Sequence, residues 1–155
     1  MSVIALRAAT AADSEFCFQL HKAAMGEYIH AIWGWDEQVQ RDYHARGFAP
    51  GRWRIITADG ADVGMLNVEY RPSEIYLARI EIQPSHQGQG IGSRIMQDLL
   101  DQAALGGQPM VLDVLAVNQR AQALYHRLGF TETTRHGTNN IKIRMTITPH
   151  LIHKS

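Results

Sequence analysis

The chain has 155 residues, with fifteen Lys plus Arg against fifteen Asp plus Glu, 45% hydrophobic and 19% charged residues. That length fits one domain, residues 1–148 with a short tail at 149–155, able to bury much of its surface without staples. The composition argues against disorder, and zero net charge leaves no strong field to draw in nucleic acid or an anionic membrane.

Cys17 is the single cysteine, so no intrachain disulfide can form. It falls in a helical pattern where a small apolar role outweighs catalysis, which fits a reducing cytoplasm. Residues 1–7 show no basic stretch leading into a long apolar run, and no segment reaches the roughly 18 apolar residues of a membrane span. We therefore expect a soluble, unprocessed, cytoplasmic protein. The eight histidines show no H-E-x-x-H or paired Cys/His spacing, so no metal is expected.

In chain order, residues 3–7 read as a strand, and Thr10 or Asp13 is available to cap the helix that follows. Phe16, Phe18, Leu20, Ala23 and Ala24 give that helix an apolar face through about Ile29. Trp33-Gly34-Trp35-Asp36 breaks the pattern, and a second helix is expected from Asp36 to Arg46, with Gly47 as its stop and Pro50-Gly51 as a turn. Tyr43 and Phe48 read as core. Strands are expected at Trp53–Ala58 and Val63–Tyr70, divided by the hairpin signal Asp59-Gly60, and at Ile75–Ile82. The order then becomes helix (90–105), strand (110–114), helix (118–128) and two strands (130–134 and 141–147), with a right-handed crossover in the second half.

Between the third strand and the next helix lies Gln87-Gly88-Gln89-Gly90-Ile91-Gly92-Ser93. Glycines let the backbone approach a bulky anion, and amides opening a helix have no intrahelical acceptors, so their N–H groups and the positive end of the dipole can converge on a diphosphate. A Gly-rich loop alone also serves plain turn geometry.

Farther on comes Asn118-Gln119-Arg120-Ala121-Gln122-Ala123-Leu124-Tyr125-His126-Arg127-Leu128-Gly129-Phe130, a helix running to a glycine cap and a strand. The two segments together resemble the GNAT superfamily of acyl-CoA-dependent N-acyltransferases: Gln87, Gly90 and Gly92 match its Q/R-x-x-G-x-G/A loop, and Asn118, Ala121, Leu124, Tyr125, Gly129 and Phe130 match its N-x-x-A-x-x-L/F-Y-x-x-x-G-F segment. The resemblance covers residues 75–148 well and the first half in order of elements. It implies a mixed α/β fold with a mostly antiparallel central sheet of about six or seven strands and about four helices.

It further implies acetyl-CoA as cosubstrate and a primary amine of a small molecule or peptide as acceptor. The backbone of Ile80, Glu81 and Ile82 would line the pantetheine, with a bulge near Ile82 freeing an N–H for the thioester oxygen. Gln87 to Ser93 would hold the diphosphate, and Asn118 and Ala121 the pantetheine. Tyr125 would protonate the departing thiolate, and Glu81 or Glu74 would drain the amine proton. Strand alternation makes Ile80 and Ile82 core positions and sets Arg79 and Glu81 on the opposite face, toward the acceptor or into an ion pair. Gln87 stands where many relatives carry arginine, which removes a fixed charge.

Glu27, Tyr28, His30, Trp33, Trp35, Asp36 and Glu37 cluster where the family floors its acceptor pocket. Aromatics beside carboxylates suit a cation; alternatively the two tryptophans anchor the helices and the acids cap the second one. Asn118 equally reads as an N-cap, and Tyr125 as a packing aromatic. Two other functions stay open, a CoA-binding sensor without turnover and a dinucleotide site built on Gly88-x-Gly90, which lacks its third glycine. Ile141, Ile143, Met145 and Ile147 alternate with Lys142 and Arg144, fitting either a half-buried strand or a sheet extended across a homodimer.

Overall fold

Residues 2–149 are described by the computed structural model. The expected tail lies outside the described residues from position 150 on. The strands are β1 (Ile4–Ala8), β2 (Arg54–Ala58), β3 (Ala61–Tyr70), β4 (Ile75–Ile82), β5 (Met110–Leu115), β6 (Thr131–His136) and β7 (Lys142–Ile147). The helices are α1 (Ser14–Trp33), α2 (Glu37–Gly47), α3 (Ile91–Leu105) and α4 (Gln119–Leu128). The seven strands hydrogen-bond in the order β1-β2-β3-β4-β5-β7-β6, with β4–β5 a parallel pair and β1–β2, β2–β3, β5–β7 and β6–β7 antiparallel. This is the mixed, mostly antiparallel sheet that was expected.

Two compact units share these elements, residues 2–67 with 79–91 and residues 68–78 with 92–149. In the first, Ala9, Cys17, Leu20, Trp53, Ile55 and Met65 form a buried cluster, with Phe16, Phe48 and Ala49 packed on it. The β2–β3 hairpin turns through Asp59 (φ 50°) and Gly60 (φ 83°), the paired positive φ of a turn whose twist matches its strands. Arg7 clamps Asp13, just before α1, with two hydrogen bonds of 2.9 and 2.8 Å, and the Thr10 N–H adds a third at 2.8 Å. These, Arg7 foremost, hold the Asp13 carboxyl well below the ordinary range. α1 runs one turn beyond the expected Ile29, and Asp36 caps α2 by accepting the Val39 N–H at 3.0 Å. Ala23 and Tyr43 are exposed rather than core; Tyr43 lies under the Arg46 guanidinium instead, 5.0 Å from its ring centre.

In the second unit, α3 buries Ile95, Met96, Leu99, Leu100 and Ala103, one stripe at helical spacing. α4 ends at Gly129, whose φ of 105° suits glycine alone among common residues. On β7, Ile143, Met145 and Ile147 are buried while Lys142 is exposed. Because β5 pairs with one edge of β7 and β6 with the other, β7 has no edge free to extend a sheet into a second copy. Among the described residues, no helix is long and apolar enough to cross a membrane.

Candidate active site

Glu81, near the end of β4, is buried with its side chain 5% exposed, and its Oε2 lies 2.6 Å from Nδ1 of His21 on α1. Its other oxygen, Oε1, is buried and, among the described residues, has no hydrogen-bond partner. An unsatisfied buried acceptor costs about 1–3 kcal/mol, so its retention points to use. Burial along β4 reverses the expectation: Ile80 and Ile82 are half-buried and Glu81 is buried. Gly64 on β3 stands against the backbone of this stretch. A Cβ there would lie 2.5 Å from the Glu81 carbonyl oxygen, 3.0 Å from Ile82 Cδ1 and 3.2 Å from Ile56 Cδ1, so the missing side chain lets the backbone at Glu81 close in. Of the two alternatives for Glu81, the structure shows a neighbour as partner, a hydrogen-bonded contact with His21. Arg79 places its guanidinium 5.2 Å from the Trp53 ring centre.

His21 was not singled out from sequence, although a signal existed. Cys17, Phe18 and Leu20 are buried, position 21 continues that stripe, and a polar group there needs a partner. Glu74 precedes β4 and is held by Arg71 at 3.0 Å, which also pairs with Glu69 at 2.8 Å.

After β4 a short 3-10 turn, Pro84–His86, leads into the glycine loop. Gly88 (φ 78°) and Gly90 (φ 82°) both have positive φ, and nothing lies within 4 Å of where a Cβ on Gly90 would sit. α3 opens at Ile91, so the amides of Ile91, Gly92 and Ser93 have no intrahelical acceptor and stand at the positive end of the helix. The Ile91 side chain is buried. Gln87 does not stand in for arginine: its Nε2 donates to the Ile82 carbonyl at 3.0 Å and ties the loop to the end of β4. Gln89 Nε2 reaches the Ser85 carbonyl at 3.4 Å. This loop fits a diphosphate.

In the second unit Asn118 caps α4, its Oδ1 accepting the Ala121 N–H at 3.1 Å. Tyr125 is buried and meets Phe130 edge to face at 5.8 Å. Gln122, which sequence reading passed over, donates through Nε2 to the Leu115 and Ala116 carbonyls at 3.1 and 2.9 Å, bracing the end of β5.

Residues 15–130 match the Acetyltransferase (GNAT) family. The chain belongs to this family. Its relatives include the L-methionine sulfoximine/L-methionine sulfone acetyltransferase of Salmonella typhimurium, 35% identical over 80% of each chain. The L-amino acid N-acyltransferase MnaT of Escherichia coli is 27% identical over 85% of this chain and 82% of its own. The ribosomal protein bS18-alanine N-acetyltransferase of E. coli is 39% identical over 51% of this chain and 54% of its own, so this chain spans about half of that relative. The PaiA N-acetyltransferase of Thermoplasma acidophilum, solved with coenzyme A, has the same fold, with a TM-score of 0.75 at 14% identity over 94% of this chain and 99% of that one.

Among the residues expected to floor an acceptor pocket in this GNAT chain, the two tryptophans separate. Trp33 ends α1 and is 59% exposed. Trp35 packs on Phe18 at 6.3 Å, donates from Nε1 to Glu37 at 2.9 Å and lies under Lys22, 5.7 Å from its ring centre. Lys22 also pairs with Glu37 at 2.9 Å, so Trp35 and Glu37 lock α1 to α2. Glu27 and His30 are exposed and Tyr28 is half-buried.

Proposed function

We propose that this GNAT chain transfers the acetyl group of acetyl-CoA to a primary amine of a small molecule or peptide. The observation that carries the reading is the open Gly90 position at the head of α3, where a backbone turn with positive φ leads into amides that have no acceptor of their own. Bound acetyl-CoA supplies an electrophilic thioester carbonyl and a thiolate leaving group. Gly88 to Ser93 hold its diphosphate through backbone N–H groups. In the first unit the backbone of Ile80 to Ile82 takes the pantetheine; in the second, the match to the family's segment assigns Asn118 and Ala121 to the cofactor and makes the Tyr125 phenol the donor to the departing sulfur.

An alkyl ammonium has a pKa of about 10.4, so the acceptor must lose a proton before attack. The Glu81–His21 pair is the drain. Glu74, neutralised by Arg71 in a turn, is the weaker candidate. Glu27, Tyr28 and Trp33 remain the acceptor floor, with Trp35 setting the frame. The two relatives matched over four fifths of their length are named for amino-acid acceptors, so an L-amino acid α-amine is the first acceptor to try, and a peptide N-terminus the second.

The test is isothermal titration with acetyl-CoA, free CoA and NAD on wild type and Gly90→Trp, followed by thiol release across an amine panel. Binding of both CoA ligands, lost in a variant that still melts cooperatively, and turnover with an amine support the reading. A folded wild type that binds neither CoA ligand ends it.

A further inference from the structure

His21 and Glu81 divide unequally between protein and solvent. The carboxylate is 5% exposed and the imidazole 19%, and Glu81 Oε1 is buried, so an acceptor amine meets the ring before it meets the carboxylate. A carboxylate only accepts hydrogen bonds, so the 2.6 Å contact keeps the hydrogen of the neutral ring on Nδ1 and its lone pair on Nε2. That is the arrangement in which a buried carboxylate orients a histidine base. Given the acetyl-transfer reading, on which this step rests, we propose that His21 Nε2 takes the proton from the acceptor ammonium and that Glu81 is a positioning residue that fixes the ring.

One proton passes from the acceptor nitrogen to Nε2. The freed lone pair forms the C–N bond, the C–S bond breaks with its electrons on sulfur, and a second nitrogen proton ends on that sulfur. His21 then releases its proton to solvent, leaving one amide, one thiol and one proton in total. The Glu81 Oε1 atom, unpartnered among the described residues, is free to support the ring as it becomes cationic.

The charged and titratable groups around the pair are otherwise engaged. Arg79, from β4, stacks on Trp53. Asp13, from the turn before α1, is bound by Arg7. Burial pushes the Cys17 thiol of α1 up to about 11. His44 of α2 meets Ser14 Oγ at 2.9 Å, and burial disfavours its charged form.

The experiment compares kcat and KM against pH for wild type, His21→Gln and Glu81→Gln. Glutamine at position 21 can still donate to Glu81 but cannot titrate. We expect His21→Gln to lose at least about 100-fold in kcat, with KM for acetyl-CoA unchanged and the acidic limb of the profile gone. Glu81→Gln should be slower yet keep the limb. A limb kept by His21→Gln and lost in Glu81→Gln would make Glu81 the base and overturn the assignment; so would wild-type kcat and profile in His21→Gln. Nitrogen-15 spectra of labelled histidine give a readout without turnover, with the hydrogen expected on Nδ1 and the opposite tautomer contradicting the step. Wild type unable to bind acetyl-CoA would instead remove the acetyl-transfer reading itself, a result separable from all of these.

Discussion

Gly64 and Glu81 touch backbone to backbone, the Glu81 carbonyl oxygen lying 2.5 Å from where a Gly64 Cβ would be. Alanine in a strand ordinarily improves on glycine. Here the obstacle is a main-chain oxygen, which cannot rotate away, so the strands must part. Gly64→Ala should cost about 1–3 kcal/mol and lower acetyl transfer, because Glu81 moves with its carbonyl. Thermal melts and turnover check this; an unchanged or raised melting temperature would show that β3 and β4 adjust freely.

Cys17 tests the burial of α1. Its thiol is pushed up to about 11, chiefly by desolvation, and the thiolate is the form that reacts. Native protein should be inert to a disulfide exchange reagent at pH 8 and should titrate one thiol per chain once unfolded in guanidinium. Rapid labelling of the native protein would mean that α1 opens. The inert outcome also leaves thiol release by CoA without a protein background.

Much of this architecture was readable residue by residue. Asp59-Gly60 announced the hairpin, Gly129 and Asn118 the limits of α4, and the alternation of Ile143, Met145 and Ile147 the buried face of β7, because each is a local rule with a local cause. The pairing of Glu81 with His21 was not readable in the same way. Glu81 and His21 stand sixty residues apart in the chain, and the glycine that the Glu81 backbone approaches lies on another strand. Likewise Trp33 and Trp35 are two residues apart and similar in composition, yet only Trp35 finds Phe18 and Glu37. Local pattern cannot tell which of two neighbours a tertiary contact will take.

Asp113 on β5 carries a pH dependence. It accepts from the Tyr76 hydroxyl at 2.6 Å, His136 Nε2 at 2.8 Å, and Arg144 at 3.2 and 3.0 Å. Burial pushes its carboxyl up, but the hydrogen bonds from Arg144, Tyr76 and His136 outweigh that and hold it well below the ordinary 3.8. A lowered folded value means that the stabilisation is complete above pH 3.8 and drains as the pH falls further toward the folded value. Asp113→Asn should therefore cost about 1–3 kcal/mol at neutral pH, with the deficit shrinking in acid. Urea unfolding at neutral pH and at a series of values below 4 gives both slopes. Asp13, lowered by Arg7, acts over the same window, so a residual acid loss should persist in Asp113→Asn and shrink in the double variant. Parallel curves for wild type and Asp113→Asn would contradict the assignment.

Trp33 and Trp35 differ in what they touch: Trp35 ties two helices together and Trp33 is exposed. Trp35→Ala removes the contact with Phe18, the hydrogen bond to Glu37 and the aromatic face under Lys22, so α1 and α2 lose their tie. The cost should be about 1–3 kcal/mol, below that of a fully buried tryptophan because the ring is half-buried. Trp33 is 59% exposed, and Trp33→Ala should leave stability within about 0.5 kcal/mol of wild type. If Trp33 floors the acceptor site, the same substitution raises KM for the amine several-fold while KM for acetyl-CoA stays put, since a ring facing a cation contributes through the acceptor alone. The two effects should thus fall on different measurements: melting temperature for position 35, acceptor KM for position 33. Unchanged acceptor KM in Trp33→Ala would remove it from the site, and a Trp35→Ala protein that melts like wild type would mean the helices are held by Phe18, His44 and Phe48 without it.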